Sequence, residues 1–507
     1  MQSVAGAETG IRFRPPRSGV GEDLMSFWNR RKAIDTAAGD PAHALKKTLS
    51  WYHLIALGVG AIVGTGIYTL TGVGAGLAGP GVMLSFLIAG AVCACAALCY
   101  AELSTMIPAS GSAYTYSYVA MGEPVAWFVG WSLILEYTLV CAAVAVGWSA
   151  HATGLFRMAG FPEFLLAGPH VEFADGTHGL VNLPAVIISF AVAGLLALGT
   201  KESATVNMVL VVIKIAALGL FVVLCLPAFD AGHFTPFMPQ GFAAHTVAGA
   251  AGPDAIKVGV MAAASLIFFA FYGFDAVSTA AEETKNPKRD LTIGIVGSML
   301  ICTLIYMLVA AVAIGASRAE VFSKSEAPLV FILETLQHPK MAQLVALAAV
   351  VALPTVILAF MYGQSRIFFV MARDGLLPPA LSRVNAKTGT PVLMTLLTGA
   401  LSALLSGLLS LKDIAELANA GTLAAFIAVG LSVIVLRVRD PSRPRVFATP
   451  LWQLVAPGAI LGCLYLFYSL PAKTQRYFLY AHLIGAAVYF LYGVRRSALA
   501  RAEAGKG

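Results

Sequence analysis

Apolar residues in this chain come in blocks too long for the core elements of a soluble fold. A run from Tyr52 to Gly76 is followed, after the turn signal Ala78-Gly79-Pro80-Gly81, by a second that continues to about Leu103. Further runs cover roughly 124–155, 182–199, 203–227, 257–281, 291–316, 341–372, 391–410, 412–438, 451–470 and 475–494. Each is near or above the ~20 residues that an α-helix needs to cross a hydrocarbon core of about 30 Å. The pattern predicts an all-α polytopic membrane protein with about twelve transmembrane helices, numbered below as runs 1 to 12.

Two runs carry a weak point at bilayer depth. In run 1, Gly60-Ala61-Ile62-Val63-Gly64-Thr65-Gly66-Ile67 places three glycines within seven residues. Each costs a helix interior roughly 1 kcal/mol relative to Ala, so the stretch reads as a break in the helix. Unpaired backbone in hydrocarbon costs several kcal/mol and persists only where protein, water or a ligand satisfies it, which makes the break a candidate ligand site. The competing reading is close helix packing at the small-xxx-small spacing of Gly60 and Gly64. Run 6 carries the second weak point, Phe268-Phe269-Ala270-Phe271-Tyr272-Gly273-Phe274-Asp275. Broken helices at corresponding places in two halves mark the inverted repeats of secondary transporters, with the substrate held between them near the midplane. The division that follows is a repeat over 48–227, its inverted partner over 257–438, runs 11 and 12 within 439–496, and tails at 1–47 and 497–507.

Composition agrees, with 58% hydrophobic and 12% charged residues and a mean hydropathy of +0.81. The net charge of +7 is spread over short loops and reports topology, since a nucleic-acid footprint needs a clustered basic face. With the N-terminus inside, inner segments hold 23 Lys and Arg and outer segments 8, which predicts a cell (inner) membrane protein with both termini cytoplasmic. The N-terminal tail has no secretory apolar core and is expected to be disordered to about residue 40. The inner loop 104–124 has no Lys or Arg, the weakest point of this topology, and the alternative for its stretch 108–116 is an amphipathic segment lying at the inner membrane surface. Cys93, Cys95 and Cys99 lack accompanying His and lack zinc spacing, so apolar filling is their reading and no metal or other cofactor is expected.

The two break sequences, with the following Ala281-Glu282-Glu283-Thr284-Lys285-Asn286-Pro287-Lys288-Arg289, resemble the amino acid/polyamine/organocation transporters, and most of all bacterial members of the cationic amino acid transporter family. The resemblance runs from about Lys47 to Gly493. It implies a LeuT-like inverted five-plus-five fold, alternating access, and proton-linked transport of cationic or small neutral L-amino acids, and it leaves room for a small accessory membrane subunit. Carried over residue by residue, substrate contacts fall on Ile62, Thr65 and Gly66 and on Phe269, Ala270 and Tyr272. The physics fits: backbone N–H groups of Gly64, Thr65 and Gly66 at the start of a half-helix suit a carboxylate, while unwound carbonyls suit an ammonium. Phe269 or Phe271 would close over the ligand. Tyr272 is larger than the residue expected there.

Three charges within runs are candidates for proton coupling. Lys214 lies mid-way along run 5, where a lysine costs about 2.5 to 3.5 kcal/mol on insertion scales. In the family the matching lysine resembles a stand-in for a sodium ion beside run 1, and Glu136 of run 3 belongs to a polar network with it. Asp275, two residues beyond Gly273, is the other acid. The competing readings are snorkelling for Lys214 and a packing hydrogen bond for Glu136. Glu102, Glu282 and Glu283 read as headgroup-level or solvated, and His53 as interfacial. Arg366 sits in a run long enough for it to reach the inner end. A channel would need charge rings or a polar stripe, an enzyme a nucleophile with its base, and an ATP-driven pump a Gly-Lys-Ser/Thr loop; none of these is present. Exchange without net proton coupling remains the alternative to symport.

Overall fold

A computed structural model describes residues 30–34, 49–173, 176–197, 204–247, 256–281, 284–383, 385 and 392–504. Lys201, Glu282, Glu283, Lys387, Lys506 and the tail before Arg30 lie outside them. Each apolar run read from the sequence contains an apolar helix. Among the described residues, nine stretches are long and apolar enough to cross a membrane, and two shorter apolar helices, Leu183–Ala197 and Val392–Leu408, correspond to runs 4 and 9. Trp51–Met106 holds both run 1 and run 2, which are separated by a tight turn at Gly79–Gly81 where Gly79 adopts φ 62°. Beyond the helices, the described residues form a two-stranded antiparallel ladder, His245–Thr246 with Lys257–Val258, and two isolated bridges, Leu49 with Thr284 and Glu172 with His178.

The bundle is inside-out relative to a soluble protein. Val260–Thr279, run 6, has a hydrophobic window that is wholly buried, whereas only 22% of that of Ala472–Glu503 is, so run 6 is central and run 12 peripheral. Large apolar side chains face outward, among them Leu491, Val438, Leu454 and Tyr468. Such a surface is stable in hydrocarbon and not in water. Run 7 (Pro287–Ala316) packs on runs 1 and 2, run 10 (Leu411–Arg439) on run 3 (Glu123–Met158), and run 8 (Pro354–Arg373) also on run 3.

Three expectations are corrected at the end of the bundle where Arg30 meets Val494 and Glu503. Residues 112–120 do not lie on a surface: Ser112–Ala120 is a helix with every residue buried, and its tyrosines pack into the bundle. Residues 30–34, within the tail expected to be disordered, are held in place. The Glu123 N–H donates to Arg30 O (2.9 Å), Arg30 Nη1 donates to Val494 O (2.9 Å), and Lys32 Nζ pairs with Asp374 (3.0 Å), which also accepts from Tyr114 Oη (2.9 Å). Glu102 is buried rather than solvated; it accepts from Arg437 (2.9 and 2.8 Å), Arg445 (3.0 Å) and the Thr449 N–H (2.8 Å). Its partners lie more than 300 residues away in sequence, beyond the reach of any local pattern. Removing one member of a buried ion pair leaves the others uncompensated, so Glu102→Ala is expected to destabilise the protein by about 3 to 5 kcal/mol. A thermal unfolding midpoint in detergent unchanged from the parent would contradict this.

Candidate functional site

Both weak points are interruptions of their helices. The first helix, Trp51–Ile62, ends at Val63, which is extended at φ −73° and ψ 93°. The chain resumes at Thr65 and runs through a π-helical turn, Gly66–Leu70. The second, Val260–Ile267, passes into a tight turn, Phe268–Phe271, then an extended Tyr272, then Gly273 at φ 114°, and resumes as Phe274–Thr279. That φ is open to Gly at little cost and strained for other residues.

The two interruptions interlock. A Cβ on Gly66 would run into the Cα of Ala270, and one on Gly273 would come within 2.7 Å of the Ala61 carbonyl carbon. Gly66 and Gly273 therefore let two backbones touch where any side chain would hold them apart. Ile62, Gly64, Thr65, Gly66, Phe269 and Tyr272, all read from the sequence as site residues, line one cavity, and Ala270 packs behind it against Gly66. Phe271 turns away and packs edge-on against Phe86 and Tyr306, so Phe269 is the aromatic at the cavity. The sequence reading missed Val140 and Val144 of run 3 and Val356 and Phe360 of run 8. Ordinary apolar residues in ordinary apolar helices leave no mark in a sequence. The space between the lining residues is only about 10 Å³, room for roughly one water molecule. Thr65 and Tyr272 both line it, and their hydroxyl oxygens, that of Thr65 packed against Gly147 and that of Tyr272 beside Thr422, are buried and without a hydrogen-bond partner among the described residues.

The last carbonyls of a helix have no partner of their own, and here neighbouring runs supply the donors. Lys214 Nζ donates to Gly60 O (2.7 Å) and to Thr355 Oγ1 (3.0 Å), and Tyr306 Oη donates to Ile62 O (2.7 Å). Lys214 is fully buried beside the first interruption and does not snorkel to an interface. Glu136 lies elsewhere: Gly421 of run 10 packs against it, Thr422 stands beside it, and its electrostatic neighbour is Asp275. Neither Glu136 carboxyl oxygen makes a hydrogen bond among the described residues. Asp275 has both oxygens engaged, one by Tyr137 Oη (2.8 Å) and one by the Gly273 N–H (3.1 Å), and so braces the second interruption. The expected Lys214–Glu136 network is thus replaced by two groupings, a lysine at the first interruption and an acid pair near the second.

Residues 49–492 match the family model described as amino acid permease. The chain belongs to the amino acid permease family. It is 42% identical over 93% of its length, and 98% of the relative's, to the branched-chain amino acid permease BcaP of Bacillus subtilis (strain 168). It is also 38% identical to the methylthioribose transporter of the same organism, covering 94% of this chain and all of that one. With the vacuolar cationic amino acid transporter 2 of Arabidopsis thaliana it shares 38% identity over 81% of this chain and 63% of the relative. The family is one of the amino acid/polyamine/organocation superfamily, as the resemblance implied, and these relatives are named as permeases or transporters. Among solved structures, MhsT in complex with L-phenylalanine superimposes with a TM-score of 0.52 at 16% identity, covering 84% of this chain and 99% of that one. That likeness is one of fold, the LeuT-like arrangement.

Proposed function

We propose that the chain is a secondary active amino acid transporter that works by alternating access, imports its substrate with a proton, and prefers small or branched apolar side chains. The observation that carries the substrate class is the lining: around the two interruptions the side chains are Ile62, Val140, Val144, Phe269, Val356 and Phe360, with no charged group among the lining residues. A buried ammonium or guanidinium with no partner would cost several kcal/mol there, whereas a branched apolar side chain is stabilised by about 25 cal/mol per Å² buried. The name of the Bacillus subtilis branched-chain permease points the same way. Thr65 Oγ1, Tyr272 Oη and the N–H groups of Gly64, Thr65 and Gly66 are the donors for the substrate carboxylate. Gly60 O and Ile62 O already accept from Lys214 and Tyr306, so the substrate amine turns to other carbonyls of the two interruptions.

A second reading is favoured by one feature. Glu136 lies one helical turn from Val140 on the same face, with an unpartnered buried carboxyl among the described residues, and a long basic side chain passing the valines would reach it. That is the cationic preference implied by the family resemblance. A competition panel in proteoliposomes separates the two: leucine, isoleucine and valine are expected to suppress uptake at least tenfold more effectively than arginine and lysine. The reverse order would move the substrate class to the basic amino acids. An imposed pH gradient, acidic outside, is expected to drive accumulation above equilibrium; uptake that requires substrate on the opposite side instead would mark an exchanger.

A further inference from the structure

The first interruption is held by Lys214 from run 5, and the second is held in the same manner from run 10. Asn419 is fully buried in Leu411–Arg439, and its Nδ2 donates to Ser265 O and to Leu266 O (3.2 Å). Gly60 is two residues before the end of the helix Trp51–Ile62. Ser265 and Leu266 are two and one before the end of Val260–Ile267. In both halves, then, the fifth run of the repeat reaches the last-turn carbonyls of the broken helix that opens that repeat. An inverted repeat predicts this placement, since run 5 relates to run 1 as run 10 relates to run 6.

The two donors differ in one chemical respect. An ammonium carries a charge and exchanges a proton, whereas a carboxamide donates the same kind of hydrogen bond and has no titration in water. We infer that Asn419 is a positioning residue, the non-titrating counterpart of Lys214, which holds the second broken helix so that Phe269 and Tyr272 meet the substrate and which confines the response to protons to the first. Its donation to two carbonyls keeps Val260–Ile267 terminated where the tight turn Phe268–Phe271 begins. Without that amide, Ser265 O and Leu266 O both lose the Asn419 donor at bilayer depth, Leu266 O keeping only the Phe268 N–H, and the segment that carries Phe269 and Tyr272 into the cavity is free to reposition.

The inference rests on the transporter reading above, and its test separates the two. Uptake by the parent, Asn419→Leu, Asn419→Gln and Lys214→Gln is measured in proteoliposomes as KM and maximal rate across a pH series. For Asn419→Leu the expected result is a KM raised at least tenfold, with the shape of the pH profile unchanged from the parent. Asn419→Gln, which keeps the amide, is expected to recover most of the affinity. Lys214→Gln is expected to do the opposite, flattening the pH profile. A parent KM in Asn419→Leu, or a flattened pH profile in it, overturns the inference. Should Asn419→Leu fail to reach the membrane, Asn419→Gln decides: a KM near the parent's supports the role, and a tenfold loss despite the retained amide overturns it. Absence of any uptake by the parent would instead sink the transporter reading itself.

Discussion

Replacing Gly66 by leucine is expected to weaken substrate binding by about two orders of magnitude while leaving the protein in the membrane. The Cβ alone would collide with the backbone of Ala270, and backbone cannot swing aside as the end of a flexible side chain can. To accommodate it, the two interruptions must separate, and with them Thr65 on one side and Phe269 and Tyr272 on the other. Overpacking of this kind costs about 3 kcal/mol, on the order of a 100-fold loss of affinity. Gly66→Ala is expected to fail nearly as badly, because its methyl group already occupies the forbidden position. Gly219→Ala in run 5 is the control: nothing lies within 4 Å of its Cβ, so a loss of less than about threefold is expected. Uptake by well-expressed Gly66→Leu within a few-fold of the parent would remove the interlocked glycines from the binding site.

The second large effect is expected at Lys214. With alanine there, Gly60 O loses its donor, and a buried acceptor left unpaired costs about 1 to 3 kcal/mol, so Lys214→Ala is expected to bind substrate more weakly. The sharper consequence is for coupling. The ammonium is the cation that touches the first interruption, and a residue that cannot exchange a proton removes the means by which a pH gradient biases that helix. Accumulation driven by an imposed pH gradient should fall to the equilibrium level, while exchange of labelled for unlabelled substrate persists at a reduced rate. If Lys214→Ala proteoliposomes concentrate substrate as the parent does, the proton is carried elsewhere. Glu136 is then the first residue to test and Asp275 the second. The oxygens of Glu136 are uncommitted among the described residues, while those of Asp275 already hold Tyr137 and the Gly273 N–H in place. By linkage, a substrate that prefers the protonated carrier must tighten proton binding by the same factor, so calorimetric detection of proton uptake on substrate binding provides an independent check.

What the sequence determined by itself follows from two demands that act locally. Hydrocarbon requires about twenty consecutive apolar residues per crossing and satisfied backbone within them, so the runs, and the places where glycine weakens them, are written in adjacent residues. This is why Gly60 to Gly66, Phe268 to Asp275 and the charge of Lys214 in an apolar run are legible from the chain alone, and the lysine indeed sits beside the first interruption. The tertiary structure alone decided which groups meet. The separation of Glu136 from Lys214, the donation from Asn419 to run 6, the pairing of Glu102 with Arg437 and Arg445, and the valines that shape the cavity all join residues from distant runs. Those meetings depend on how helices rotate and cross in the bundle. A uniformly apolar helix carries almost no periodicity to reveal its rotation, because in a membrane both its lipid face and its protein face are apolar.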